Sequence, residues 1–321
     1  MRILVTGGAG FIGSHVVDAY IGLGHEVAVL DDLSRGFRRN LNAKVDLFNG
    51  DIEDRSFVQR VFTEFKPEVV NHHAAQMDVR RGVREPLFDA RVNILGSLNL
   101  IEEAVAHQTR HFIYISTAGA AYGEPEHLPA GEDAPVNPIT PYGVSKHTVE
   151  HYLYTFACLY GITYTVLRYG NVYGPRQSSK GEAGVFAIFC EQILAGIQPV
   201  IYGDGSKMRD YVFVSDVVQA NIAALSHGYG EIFNIGSGQP TSDLQVFSLL
   251  CDLLNKPKLQ PRYISKRAGE IDQIYLNIGK AQRLLGWSPK VRLADGSRQT
   301  VDYFKQTAEM EAHVMQNSSA S

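Results

Sequence analysis

The 321-residue chain predicts an α/β protein: a doubly wound parallel sheet over residues 1–172, followed by a smaller mixed α/β unit over 173–321. Three observations predict it. Short β-branched runs alternate with longer helical patterns in the first part, as in βαβ units with helices on both faces of a sheet. A glycine-rich turn stands at the first strand–helix junction. Beyond Asn171 the rhythm changes: Gly174-Pro175, Gly203-Asp204-Gly205 and Gly236-Ser237-Gly238 separate shorter, less regular elements.

In chain order, strands are expected at 2–6, 26–30, 45–48, 69–71, 112–115 and 164–168, with helices at 12–23, 57–65 and 96–107 between them. The crossovers should be right-handed, and the chain is expected to cross back once into the first sheet. No internal repeat is visible. Residues 313–321, ending Gln-Asn-Ser-Ser-Ala-Ser, read as a disordered tail.

Composition narrows the function. Hydrophobic residues make up 45% and charged residues 20%, as in ordinary globular chains, and 30 basic against 34 acidic residues give a net charge of −4. That balance offers no basic surface for nucleic acid. Cys158, Cys190 and Cys251 are far apart and form no Cys-x-x-Cys pair, so neither a disulfide framework nor a zinc site is expected. No signal peptide or apolar stretch of membrane-spanning length is seen. The expected compartment is the cytoplasm.

Gly7-Gly8-Ala9-Gly10-Phe11-Ile12-Gly13 follows the first strand and opens a helix. Gly7 permits the tight turn, Gly10 lets backbone approach a pyrophosphate, and Gly13 allows close packing, with the helix N-terminus facing the anion. A plain strand–turn–helix is the bland reading of such a pattern. Its context adds meaning: the second strand ends in Asp31-Asp32, about 20 residues on, where a carboxylate binds ribose hydroxyls and repels a 2′-phosphate. NAD is therefore expected, in preference to NADP, although Arg35, Arg38 and Arg39 lie nearby. Asp51 and Ile52, after the third strand, are placed to meet the adenine or simply to cap the strand end.

Thr140-Pro141-Tyr142-Gly143-Val144-Ser145-Lys146 reads as a helix start, with Thr140 as N-cap and Pro141 at the first helical position. Tyr142 and Lys146 then share one face. A free tyrosine, with a pKa of about 10, is a poor base near neutrality. An adjacent ammonium and an oxidised nicotinamide should lower that value, so that Tyr142 takes a proton while the substrate carbon gives up a hydride. His147 and His151 are also four apart; a solvated or dimer-facing pair is preferred to half a metal site, because no third ligand stands out. Packing or backbone lining likewise explains His72-His73 better than metal binding.

With these motifs in hand, the chain resembles the extended short-chain dehydrogenases/reductases, and within them the bacterial UDP-glucose 4-epimerases, from Met1 to about Phe304. The resemblance rests on residues 6–15, Asn71-His72-His73-Ala74-Ala75-Gln76, Pro141-Tyr142-Gly143-Val144-Ser145-Lys146, residues 167–176 and Arg209-Asp210-Tyr211-Val212. It implies a Rossmann-type sheet and tightly bound NAD. It implies that Phe11 and Ile12 line the pyrophosphate turn, that Ala74, Ala75 and Tyr169 belong with the cofactor, and that Asn93 lies near the nicotinamide. It further implies that Asn171 binds the sugar nucleotide, that Arg209 and Arg267 grip a UDP diphosphate, and that the Tyr142 helix and the 96–107 helix pack in a homodimer.

Two departures stand out. Where the family has a Ser or Thr four residues before Tyr-Gly, this chain has Ala118; Thr117, ahead of Ser116, is expected to supply the hydroxyl through an altered path at Gly119. Glu270 replaces an aspartate. The segment 117–120 also lacks the ionisable residues that dehydratases and decarboxylases of this family carry, which favours reversible C4 epimerisation of UDP-glucose and UDP-galactose. The alternatives are epimerisation of UDP-glucuronate or a UDP-N-acetylhexosamine, a nucleotide-sugar dehydratase, and a non-catalytic NAD-binding regulator. Ile274, near the position that gates N-acetyl groups in the family, decides nothing by its medium size.

Overall fold

A computed structural model describes residues 1–179, 184–266 and 271–318. The first part runs β1 (Arg2–Thr6), α1 (Phe11–Gly22), β2 (Glu26–Asp31), β3 (Asp46–Asn49), α2 (Arg55–Phe65), β4 (Val69–His72), α3 (Val79–Arg84), α4 (Pro86–Ala90), a π-helical turn (Arg91–Leu95) and α5 (Gly96–Ala106). It continues through β5 (His111–Thr117), the single turn α6 (Gly119–Tyr122), α7 (Pro141–Tyr160) and β6 (Thr163–Tyr169). Then follow β7 (Asn171–Tyr173), α8 (Val185–Leu194), β8 (Val200–Tyr202), β9 (Met208–Phe213), α9 (Val214–Ala224), β10 (Glu231–Ile235), β11 (Pro240–Ser242), α10 (Asp243–Leu253), β12 (Arg262–Ile264) and α11 (Leu293–Ser318).

Seven parallel strands form the central sheet in the order β3-β2-β1-β4-β5-β6-β10. Alternate residues of β1 and β2 feed two separate cores. Ile3, Val5, Val27 and Val29 pack on one face, and Leu4, Ala28 and Leu30 on the other. Both faces of the sheet are thus dry, and each large apolar side chain buried in this way contributes about 1.5–3 kcal/mol. The strand that returns to the sheet is β10, which pairs with β6.

The smaller region carries a three-stranded sheet, β11-β9-β7, and a parallel pair, β12-β8. Its core is aromatic: Tyr173 stacks on Phe186 with centroids 4.1 Å apart, and Tyr211, Phe213 and Phe189 surround them. Helix α11 continues to Ser318, so residues 313–318 extend a helix where the sequence predicts a disordered tail. No Gly or Pro after Gly296 interrupts it. Residues 319–321 of that expected tail lie outside the described residues. Among the described residues no helix is long and apolar enough to cross a membrane.

Candidate active site

Strand order reverses between β1 and β4, and the crevice beyond the carboxyl ends of those strands is where open α/β sheets bind ligands. Backbone proximity builds its floor. Gly7 adopts φ +66°, and a Cβ there would lie 2.6 Å from the Ala74 nitrogen; a Cβ on Gly13 would lie 2.3 Å from the Gly7 oxygen. Gly10 is the N-cap of α1 without a side-chain cap, so no side chain satisfies the first-turn N–H groups of Phe11, Ile12 and Gly13. Phe11 packs edge-on to His15 and against the small region's core, while Ile12 leans on the central core.

At the end of β2, Asp31 is nearly buried and accepts from the Ala9 and Leu33 backbone N–H groups, both at 2.9 Å. Burial raises its pKa, and those two hydrogen bonds oppose the rise. Asp32 is exposed and caps Ser34. Asp51 accepts from Glu53 N–H at 2.9 Å, the strand-end cap. Ile52 is buried beside Gly96, with its carbonyl held by Asn99 at 2.9 Å.

Beyond β4 the chain is pinned by side chains. His72 is hydrogen-bonded to Thr6 Oγ1 at 2.6 Å and Ser97 Oγ at 2.9 Å, and burial keeps it neutral by holding its pKa well below the usual value. Ala74 N–H donates to Thr6 Oγ1, and Ala75 follows half-buried. Asn93, in the π-helical turn, accepts from Gln76 N–H at 2.8 Å and donates to Gln76 O at 2.9 Å and Ser145 Oγ at 3.2 Å. Its amide therefore joins the β4 loop to α7.

Helix α7 starts as its sequence dictates: Thr140 Oγ1 accepts from Gly143 N–H, and Pro141 occupies the first turn. A Cβ on Gly143 would lie 2.1 Å from the Ala120 oxygen, so this glycine lets the start of α7 pack against α6, the turn that follows β5. Lys146 is buried, its ammonium 4.4 Å from the Tyr114 ring centroid. Desolvation pulls its pKa down to about 7, against the opposing pull of Glu150 and then Asp89. The Tyr142 pKa, expected to be lowered by Lys146, is instead raised, first by burial and then by the Asp89 carboxylate. Desolvation of the phenolate is the larger of those two causes.

The anchor of this wall is Glu150, one turn beyond Lys146. It accepts from Ser116 Oγ at 2.6 Å, from Arg168 at 3.0 and 2.5 Å, and from His147 Nδ1 at 3.0 Å. Burial alone would push its carboxyl up; the hydrogen bonds from His147 and Arg168, Arg168's charge and the Ser116 bond outweigh it and bring it to about 2. Arg168 continues to Tyr122 OH at 2.9 Å, which donates to Asn234 on β10.

This wiring sorts the three positions at the end of β5. Ser116 is buried and committed to Glu150. Ala118 is fully buried in an apolar cluster with Tyr122, Ile274 and Leu276. Thr117 is half-buried, and its Oγ1 has only a long contact, 3.5 Å, with Ala120 N–H.

On β9, Arg209 donates to the carbonyls of Met208, at 2.8 Å, and Ile271, at 2.7 Å, tying that strand to Ile271. Neighbouring Asp210 is buried and accepts from Ser237, Gly238 and Leu276. Asn171 is exposed at the start of β7. Tyr169 belongs to the core, its hydroxyl accepting from Asn221 Nδ2 at 2.6 Å. Arg267 and Glu270 lie outside the described residues.

A family model described as the NAD dependent epimerase/dehydratase family matches residues 3–236. The chain belongs to this family. A UDP-glucose 4-epimerase of Mycolicibacterium smegmatis is 43% identical over 311 residues, covering 95% of this chain and 99% of that one. Among solved structures, a UDP-glucose 4-epimerase of Thermotoga maritima with UDP-glucose superposes with TM-score 0.94 at 48% identity, covering 96% and 100% of the two chains. One from Thermus thermophilus in complex with NAD gives 0.90 at 42%, covering 95% and 99%.

As in the rest of the family, the sheet is of the Rossmann type and the cofactor is NAD. The uncapped α1 terminus, the glycine turn without side-chain bulk and the carboxylates ending β2 fit that dinucleotide. Among the described residues no group of three or more His, Cys, Asp or Glu is placed to hold a metal. Sequence reasoning missed Glu150, Arg168, Gln76 and Asp89. The first carried a signal, since its four-residue spacing from Lys146 puts both on one face. The others depend on contacts between distant segments.

Proposed function

We propose that this chain interconverts UDP-glucose and UDP-galactose by reversible oxidation at C4, with NAD regenerated in every turnover. One observation carries the reading: the segment from the end of β5 into the turn that packs on the start of α7, Thr117 to Ala121, offers a hydroxyl with only a 3.5 Å contact and no ionisable side chain. Water elimination or decarboxylation needs an acid or base at that place; epimerisation does not.

Bound NAD supplies the hydride acceptor and returns the hydride. Tyr142 moves the proton of the C4 hydroxyl through its phenol oxygen. Lys146, one helical turn on, supplies positive charge to that phenol in its protonated form, and Thr117 orients the substrate hydroxyl. Glycines 7, 10 and 13, Phe11, Ile12, Asp31, Asp32, Asp51, Ile52, Ala74, Ala75 and Asn93 form the cofactor side, with Tyr169 behind it in the core. Asn171 and Arg209 form the sugar-nucleotide side, and Arg267, outside the described residues, is assigned with them by sequence alone, guanidiniums being suited to a diphosphate. The two sides divide near residue 172. Leu95, Val144, Tyr152 and Leu159 are exposed on or beside α5 and α7, which supports a homodimer through those helices. Three free cysteines support a cytoplasmic setting.

The test is to incubate the purified protein with UDP-galactose, without added NAD, and separate the products. UDP-glucose is expected; a 4-keto-6-deoxy sugar or a pentose would overturn the reading, and UDP-glucuronate and UDP-N-acetylglucosamine run alongside show the preferred sugar. Tyr142→Phe should lower turnover by about 10²–10⁴-fold, the range for a lost acid–base group, with NAD content unchanged. Near-normal turnover would remove Tyr142 from its role.

A further inference from the structure

We propose that Asp89 is a positioning residue of this site: its buried carboxylate on α4 is the counter-charge of the Lys146 ammonium. The inference rests on the reading of Tyr142 and Lys146 as the proton-transfer pair. Asp89 is 1% exposed. Its Oδ2 accepts from Gln76 Nε2 at 3.2 Å, and its Oδ1 has no partner. A buried carboxylate with one neutral donor is costly unless a cation lies near. Lys146 has the complementary deficit. Among the described residues its ammonium meets the Tyr114 ring and has no hydrogen bond or ion pair.

The elements that carry the two groups are packed and wired together. Both α3 and α4 pack on α7. Asn93, one turn beyond Asp89, donates to Ser145 Oγ at 3.2 Å, and Ser145 Oγ donates to Tyr142 O at 3.0 Å. Gln76 completes the frame: its backbone holds both ends of the Asn93 amide while its side chain holds Asp89. On α3, a Cβ at Gly82 would lie 2.9 Å from Asp89 Oδ2, so that helix closes over the carboxylate without a side chain. The other titratable groups around the pair are Tyr142 and Glu150 on α7, Tyr114 on β5, and His72 and His73 at the end of β4, whose pKa values burial pulls down. Arg80, Arg81, Arg84 and Glu85 are exposed. Glu150 is bound by Arg168, Ser116 and His147, which leaves Asp89 as the uncommitted carboxylate. An anion favours the proton-bound form of each neighbour, so Asp89 pulls both Lys146 and Tyr142 upward.

Asp89→Asn keeps the shape and the acceptor for Gln76 and removes the charge. Both limbs of its kcat–pH profile on UDP-galactose should move to lower pH, by at least about half a unit. A lower plateau with the limbs in place is what a purely structural role gives, and it would overturn the proposal. A second measurement needs no substrate. Urea midpoints of the wild type, Asp89→Asn, Lys146→Met and the double variant are compared in saturating NAD at a pH of about 6, below the Lys146 value of about 7. The double variant should lose less than the sum of the two single losses, because neither charge is left alone in it. Additive losses would overturn the counter-charge. A wild type inactive on UDP-galactose would refute the C4 reading instead, and the midpoints would still decide the role of Asp89.

Discussion

The two walls of the crevice are held by different physics. On the β1–α1 side, position comes from backbone packed against backbone: Gly7 against Ala74, and Gly13 against Gly7. On the α7 side it comes from buried polar side chains that join elements far apart in the chain: Glu150 to Arg168 and Ser116, and Asn93 to Gln76 and Ser145. The first wall cannot accept added atoms, and the second cannot lose a charge. That division suits the chemistry. A cofactor retained through every turnover needs a rigid, close-fitting floor, whereas a proton-transfer pair needs its electrostatic surroundings fixed.

The largest expected effect breaks the second wall. Arg168→Met leaves Glu150 buried without its cation, and removing one partner of such a pair typically costs about 3–5 kcal/mol. The pH dependence gives the sign. In the wild type the Glu150 carboxyl is near 2, against its ordinary 4.5, so its contribution is complete above 4.5 and is lost as pH falls through about 2. In the variant, burial instead pushes the carboxyl up, and its penalty lifts once it takes a proton. The stability gap between the two proteins, measured by urea unfolding, should therefore be widest at neutral pH and shrink on acidification. A gap that is constant with pH would mean that Arg168 acts by packing alone.

The next effect breaks the first wall. Gly13→Ala puts a methyl 2.3 Å from the Gly7 oxygen, so the glycine turn must move. Overpacking of this kind costs about 1–3 kcal/mol. The larger consequence is functional: the displaced turn should lose NAD, read as cofactor content after gel filtration. A variant that keeps its full NAD complement would show that the turn yields more than the contacts allow.

The same contrast explains what could be read in advance. The six expected strands of the first region lie within two residues of the observed ones; the inner strands such as β1 and β2, buried on both faces, read as apolar runs, while the edge strand β3 does not. The glycine turn was legible for a similar reason: its geometry is local. The other wall was legible only in its residues. Tyr142 and Lys146 could be paired by helical spacing, but their shifts depend on burial and on Asp89 and Glu150, which no spacing reveals. The motif around Tyr169 groups it with the cofactor, yet its hydroxyl reaches Asn221 on α9, 52 residues away in sequence.

The smallest effect sharpens the comparison at the end of β5, where three consecutive residues meet three environments. An ungapped match to the family sets Ala118 at the hydroxyl position, but β5 ends at Thr117 and the next residue turns into the apolar cluster with Ile274. Ser116 points the opposite way, into the Glu150 network. Thr117 alone of the three has a hydroxyl without a close partner. Thr117→Val, which keeps shape and removes the hydroxyl, should lower kcat by roughly tenfold, the scale of one hydrogen bond, and leave the unfolding midpoint almost unchanged. Ser116→Ala should do the reverse, lowering stability by about 1–3 kcal/mol through the acceptor it abandons in Glu150, with a smaller effect on kcat. If the two variants exchange these signatures, the hydroxyl that serves the substrate is Ser116, and the buried network, rather than the strand end, supplies it.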